Sequence, residues 1–300
     1  MPVISPDAKN HSKDRNMPEF PIIDSHVHLY DVQRLSYGWL ANVPKIDRSF
    51  DLDDFDAARG PVQIEKLVFA EVAVDPGLHI DEVEFIQQMA DGDPRLAGSV
   101  AHAPLEKGAR VEQDLEKLAT LPSVRGIRRL IETERNPAFV LEPAFLDGLR
   151  LLPKFGFTFD ICVKHWALTY GIELARRCPQ VSFVLDHIGK PDIKNGLRQP
   201  WWDQIAELAA LPNVVCKISG VVTEADHQSW KADDVKPYVE RAIEVFGFDR
   251  VMYGSDWTVS ELTHRYPDWV AILDDIVSGA SVDERRKLYR DTVSRVYRLG

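Results

Sequence analysis

The chain is poor in cysteine, with three in 300 residues: Cys162, Cys178 and Cys216. So few scattered thiols exclude a disulfide framework and a thiolate zinc site. Two of them fall in apolar runs, as buried free thiols in a reducing compartment do. Long apolar stretches are missing as well, and none approaches the roughly 20 residues of a membrane span. Positive charge is in deficit: 36 Lys and Arg stand against 47 Asp and Glu, for a net charge of −11. Without a basic field to collect phosphates, general binding to nucleic acid or to a membrane surface is disfavoured. No glycine-rich phosphate loop follows the first apolar run. Residues 1–16 are polar and lack the apolar core of a signal peptide. They are expected to form a disordered tail, with Met17 as an alternative start of translation, and the absences together predict a cytoplasmic protein.

What is present is an alternation. Eight short apolar runs lie at 22–29, 66–74, 96–103, 124–131, 158–163, 182–188, 214–221 and 251–257. Amphipathic helical patterns separate them, at 80–90, 110–118, 143–155, 168–178, 201–211, 235–246 and 266–276. Strands alternating with helices imply a parallel sheet, and near-continuous apolar strands imply burial on both faces. Eight such units in a chain of this length predict a single (β/α)8 TIM barrel over residues 17–300, with an open doubly wound sheet as the competing architecture. The charged helical stretch 283–298 is expected to close the barrel outside the eighth strand. The longest irregular region, 30–61, carries Tyr37, Trp39 and the acidic residues Asp51, Asp53, Asp54 and Asp56. On the catalytic face of a barrel its aromatics either wall a pocket or pack the loop down.

The densest chemical signal is Asp24-Ser25-His26-Val27-His28. Two histidines two apart on a strand point to the same side, so their imidazoles can converge on one ion or one polarised oxygen. Barrel enzymes gather their chemistry at the C-terminal strand ends. There the sequence offers His26 and His28, Glu71, Arg128 and Arg129, Lys164 followed by His165 and Trp166, then Asp186, His187 and Lys190. Lys217 and Ser219 follow, and finally Asp256 within Gly254-Ser255-Asp256-Trp257. Three imidazoles and one carboxylate, from His26, His28, His187 and Asp256, suit one divalent metal, zinc before others, with an open position for water. Asp256 would bind the ion, take a proton from the attacking water, or do both. Strand parity turns Asp186 away from His187, toward the helices or a helix cap, and Glu71 reads as a salt-bridge partner rather than a ligand. Arg128, Lys164, Lys190 and Lys217 concentrate positive charge at one mouth of an acidic protein. With Trp257 they are the candidate substrate contacts, for a small molecule that is anionic or heavily hydroxylated.

At these residues the sequence resembles the amidohydrolase superfamily, and within it the amidohydrolase 2 branch of metal-dependent hydrolases. The resemblance rests on Ile23-Asp24-Ser25-His26-Val27-His28, Val124-Arg125-Gly126-Ile127-Arg128, Leu185-Asp186-His187-Ile188-Gly189-Lys190-Pro191, Val215-Cys216-Lys217-Ile218-Ser219-Gly220 and Tyr253-Gly254-Ser255-Asp256-Trp257. The stretch CKISGVVTEAD at 216–226 is similar to the sugar-lactone hydrolases of this branch, the fucono-lactonases among them. The resemblance implies a barrel enzyme that opens a small sugar lactone to its aldonate. It implies His26, His28, His187 and Asp256 as the catalytic set, with Arg128, Lys190 and Lys217 binding or polarising the substrate. A binuclear member would add a lysine or glutamate at the fourth strand end and a histidine at the fifth. Arg128-Arg129-Leu130 and Lys164-His165 stand there instead, which disfavours two metals. The branch also includes lactonases thought to work without an ion, where the three histidines and a basic residue would polarise the carbonyl directly. A zinc-dependent decarboxylase of the same superfamily is the alternative activity.

Overall fold

The computed structural model describes residues 17–300; the tail expected at 1–16 lies outside the described residues. Eight strands form one sheet: β1 (Ile22–Val27), β2 (Ile64–Ala70), β3 (Leu96–His102), β4 (Val124–Arg128), β5 (Thr158–Ile161), β6 (Phe183–Leu185), β7 (Val214–Ile218) and β8 (Val251–Tyr253). They pair in parallel in chain order. The sheet closes where the chain beyond β8 returns to β1. Val27 bridges Trp257, Ser25 Oγ donates to the Tyr253 carbonyl at 2.5 Å, and the Ser255 N–H donates to Asp24 at 2.9 Å. The fold is therefore the expected (β/α)8 barrel.

The helices in chain order are α1 (Leu52–Arg59), α2 (His79–Gly92), α3 (Glu112–Ala119), α4 (Pro143–Leu149), α5 (Leu152–Phe155), α6 (Leu168–Arg177), α7 (Trp201–Ala209), α8 (Ala232–Phe246), α9 (Tyr266–Ile276), α10 (Val282–Arg286) and α11 (Thr292–Tyr297). Helix α1 lies inside the region expected to be irregular. Only Phe55 of its eight residues is buried, so it lacks an apolar period. Its start is nevertheless written in the acidic stretch. Asp51 accepts from the Asp54 N–H at 3.0 Å and Asp54 accepts from the Asp51 N–H at 3.3 Å, a reciprocal cap. The pattern at 143–155 breaks into α4 and α5, because Pro153 has no N–H and its ring crowds the carbonyl four residues back. The stretch at 283–298 is likewise divided, by a π-turn at Lys287–Asp291 between α10 and α11.

Two apolar layers hold the barrel. The larger lies between the sheet and the helices and includes Phe69, Phe145, Phe159, Trp201, Trp269 and Leu273. The smaller joins Ile23, Val68, Val100, Val184 and Met252 to Tyr297 and Leu299. The C-terminal stretch packs on β8, as expected, but its end turns inward and seals the base of the barrel with those two side chains. Each such buried side chain contributes roughly 1.5–3 kcal/mol.

The expected strands overrun the observed ones mainly at their C-terminal ends. Residues 186–188, 219–221 and 254–257 have left the ladder. His187, Ile188, Lys190 and Asp256 adopt left-handed backbone, with φ of 54°, 49°, 46° and 59°, and Gly220 has φ of 55°. The departures re-aim side chains into the barrel mouth.

Candidate active site

The mouth is built first by β1. Its register against β2 shifts between Asp24 and Val27. That irregularity lets Ile23 join the base cluster while His26 and His28 both face the upper barrel. Asp24 is turned aside and ties segments together, accepting from the His26 N–H at 3.0 Å, the Ser255 N–H at 2.9 Å and the Tyr266 hydroxyl at 2.9 Å. The chain after β8 then clamps over β1. The Asp256 N–H donates to the His26 carbonyl at 3.0 Å and the His28 N–H to the Trp257 carbonyl at 2.6 Å. After β6 the left-handed turn swings His187 inward. The outcome is one cluster: Asp256 Oδ1 lies 3.7, 3.3 and 3.9 Å from the Nε2 atoms of His26, His28 and His187. All four residues are buried.

Second partners orient the rings. His28 Nδ1 lies 2.9 Å from the Ala70 carbonyl, an acceptor only, so Nδ1 carries a hydrogen and Nε2 is the nitrogen turned to Asp256. His187 Nδ1 is held by Ser219 Oγ at 2.9 Å. His26 Nε2 is 3.2 Å from Arg128 Nη1. A guanidinium only donates, so this nitrogen carries a lone pair. Burial, and then Lys217, hold the His26 imidazole well below its ordinary value. Burial draws His187 down to about 4. Burial alone would raise the Asp256 carboxyl, but the surrounding imidazoles, His187 foremost, hold it well below the carboxylate range. At neutral pH His26 and His187 are neutral imidazoles facing the Asp256 carboxylate.

Beneath it lies a layer of permanent charges. Arg128 donates to Glu71 at 2.7 Å, to the Glu71 carbonyl and to Asp186 at 3.1 Å. Lys217 Nζ meets Asp160 at 2.6 Å, Asp186 at 3.0 Å and His26 Nδ1 at 3.2 Å. Asp186 therefore points inward, against the parity expectation, because β6 ends at Leu185 and extended alternation no longer applies. Glu71 is the salt-bridge partner expected. Lys217 is fully buried and absent from the cavity wall, so it braces His26 instead of meeting substrate.

The remaining cations are also paired. Lys190 Nζ donates to both oxygens of Glu132 at 2.7 Å. Lys164 Nζ donates to both oxygens of Glu224 at 2.9 and 3.0 Å, at the rim. The mouth is thus not the free positive field that the spacing of basic residues suggested; the acids that cancel it come from other loops. Trp257 does not reach the cavity. Its ring packs edge-on to Phe50 and Phe55, since the left-handed turn at Asp256 sends the next side chain outward. Trp39 does wall the cavity, its indole donating to the Val72 carbonyl at 2.7 Å, while Tyr37 is buried against Tyr30 and packs the loop.

The cavity over the cluster measures about 260 Å³ and is lined by His28, His187, Asp256, Arg128, Glu132 and Lys190 among others. A larger groove, about 840 Å³, runs along Arg48, Pro61 and Arg265 but holds none of the histidines. Two wall elements escaped the sequence reading. Glu132 stands one residue past the run at 124–131. Gly220, quoted above only as the end of the motif at 215–220, sits so close that a side chain there would meet His187 Nδ1 at 2.6 Å and Asp256 Oδ2 at 2.8 Å.

The donor set fits a divalent metal. His26, His28 and Asp256 form one candidate ligand group, and His26, Asp186 and His187 a second. Ligand atoms around a tetrahedral zinc with bonds of ~2.0–2.1 Å stand about 3.3 Å apart, close to the separations at Asp256. His28 Nε2 faces the Asp256 carboxylate at 3.3 Å, a separation that a metal ion held by both atoms, or a proton shared between them, would account for.

Comparison with known proteins agrees with this architecture. Residues 23–299 match the family described as amidohydrolase. The L-fucono-1,5-lactonase of Burkholderia multivorans is 31% identical over 92% of this chain and 96% of its own length. That of Burkholderia ambifaria is 28% identical over 92% of this chain and 95% of its own length. The crystal structure of an amidohydrolase from Burkholderia multivorans with bound zinc superposes with a TM-score of 0.84 at 28% identity, covering 94% of this chain and 100% of that one. A family match spanning almost every described residue, on a barrel that brings these histidines to this aspartate, means that the chain belongs to the amidohydrolase family.

Proposed function

We propose that this protein hydrolyses a lactone, a sugar lactone in particular, by attack of water on the ring carbonyl. The observation that carries the reading is the convergence of three imidazoles on the Asp256 carboxylate beside a small cavity at the C-terminal face of the barrel. The lactonase relatives support it. Asp256 takes a proton from water as the water oxygen bonds to the carbonyl carbon. The ring C–O bond then breaks, and Asp256 returns that proton to the departing ring oxygen, giving the hydroxy acid. His26, His28, His187 and Asp256 are the residues that would hold a zinc ion. When bound, such an ion would polarise the carbonyl and acidify water. Arg128, fixed by Glu71 and Asp186, lines the cavity and keeps one Nη2 hydrogen beyond its contacts to Glu71, Asp186 and His26, with which it would stabilise negative charge developing on the carbonyl oxygen.

The test is acid release from a panel of aldono-1,4- and aldono-1,5-lactones, with zinc content measured on the same protein. Asp256→Asn keeps the shape of the side chain and removes the base, so turnover should fall at least 1,000-fold, on the order expected for losing a general base in a concerted site, with the melting temperature retained. Near-wild-type hydrolysis by that variant refutes the mechanism. Carbon dioxide release from a β-resorcylate-type acid, with no lactone turnover, would replace it by decarboxylation.

A further inference from the structure

We infer that Glu132 and Lys190 are the specificity element of this site, selecting uncharged, hydroxyl-bearing lactones and rejecting lactones that carry an additional carboxylate; the inference rests on the lactonase reading above. Three carboxylates line the cavity, Glu71, Glu132 and Asp256, against two cations, Arg128 and Lys190. Both cations are already spoken for, Arg128 by Glu71 and Asp186, Lys190 by Glu132. An anionic substituent placed beside this pair would lie against the Glu132 carboxylate, with the Lys190 ammonium already bridging both oxygens of that acid. Glu132 and Lys190 are only 16% and 14% exposed at their side chains, so that repulsion is weakly screened.

The same pair is complementary to a hydroxyl group. The Lys190 ammonium uses two of its three hydrogens on Glu132 and keeps one to donate. The Glu132 carboxylate keeps unused lone pairs beside those taken by Lys190 and by the Cys162 thiol at 3.5 Å. A sugar hydroxyl both donates and accepts, and so satisfies both at once. A carboxylate only accepts, and would have to lie against Glu132. The pair is also rigidly placed. Lys190 sits on the left-handed turn that carries His187, its N–H donating to the His187 carbonyl at 2.9 Å and its carbonyl accepting from the His165 N–H at 3.2 Å. Glu132 is pinned to the end of β5, its own N–H and that of Ile131 donating to the Cys162 carbonyl at 3.2 and 3.1 Å. Specificity is built here as much by a repulsive group as by an attractive one.

The experiment compares kcat/KM of the full-length enzyme for an aldono-1,4-lactone and for the aldarolactone of the same configuration, which bears a second carboxylate. Wild type should prefer the neutral lactone. Glu132→Gln keeps the volume, removes the charge and frees Lys190, so the neutral-to-anionic ratio should fall by roughly tenfold or more. Lys190→Met leaves Glu132 uncompensated, so the ratio should rise instead. Each variant is checked by thermal melting, and the opposite signs keep the inference testable if one of them fails to fold. A ratio unchanged in the folded variants, or a wild type that prefers the aldarolactone, overturns the inference while leaving lactone hydrolysis standing. No turnover of any lactone by the wild-type enzyme removes the underlying reading, and this inference with it.

Discussion

Gly220 lies in left-handed backbone at φ +55°, wedged between two of the reactive side chains. A methyl group there would stand 2.6 Å from His187 Nδ1 and 2.8 Å from Asp256 Oδ2. Restoring ordinary contact at 3.4 Å requires the imidazole to retreat by about 0.8 Å and the carboxylate by about 0.6 Å, and misplacement near 1 Å costs on the order of 100-fold in rate. Left-handed alanine adds roughly 1–2 kcal/mol of strain, which lowers the melting temperature of a protein this size by only a few degrees. Gly220→Ala should therefore remain folded and lose about two orders of magnitude in kcat for lactone hydrolysis. Gly156→Ala supplies the control. It is left-handed at φ +70° and no atom lies within 4 Å of the added methyl, so it carries left-handed strain without the collision and should keep its rate. A Gly220→Ala enzyme within about threefold of wild-type kcat, at equal stability, would refute the wedge.

Two further outcomes follow from the buried charges. Lys217→Met removes the ammonium shared by Asp160 and Asp186, leaving Asp160 without a cation and Asp186 with Arg128 alone, so denaturant unfolding should show a loss of about 3–5 kcal/mol; a loss below about 1 kcal/mol contradicts the pairing. Glu132 titrates in acid. Burial opposes its ionisation, but Lys190 outweighs burial and draws the carboxyl from 4.5 to about 2. A folded value below the unfolded one gives stability that is complete above about pH 4.5 and is lost as pH falls toward 2. The amount is on the order of 3 kcal/mol, from about 1.4 kcal/mol for each tenfold change in proton affinity. Stability measured at pH 5 and at pH 3 should show this decline in the wild type and a smaller one in Glu132→Gln; equal declines would dismiss the linkage.

The barrel was legible because its strands are short, apolar and regularly spaced, and because burial on both faces leaves little else that such runs can be. His26, His28, His187 and Asp256 stood out by residue type and by position at strand ends. What escaped was set by backbone that departs from extended geometry. Parity reasoning sent Asp186 outward, since alternation holds only while the ladder lasts and β6 stops at Leu185. Trp257 was counted among the substrate contacts, but a left-handed residue between strand and loop turns the next side chain away from the cavity. The sign of the mouth was misjudged for another reason. Lys190 and Lys164 are each cancelled by an acid about 60 residues away in sequence, 58 for Glu132 and 60 for Glu224, and no local pattern announces such a pair. Helix α1 hid because its cap, not its apolar face, defines it.

The layer below the histidines explains why so much charge is buried for so small a site. Ion pairs in a dry interior gain little over apolar packing, because desolvation consumes most of the Coulomb energy. Their return here is orientation. Arg128 and Lys217 are each fixed by two carboxylates and flank His26, which burial and then Lys217 hold neutral with its Nε2 3.7 Å from Asp256 Oδ1. Among the described residues, each carboxylate of this layer, Glu71, Asp160 and Asp186, touches a permanent positive charge. Asp256 is the exception, facing imidazoles alone. Asp256 lines the cavity and is not locked to a guanidinium or ammonium group, so its position, more than its basicity, fits it to exchange a proton with water bound there.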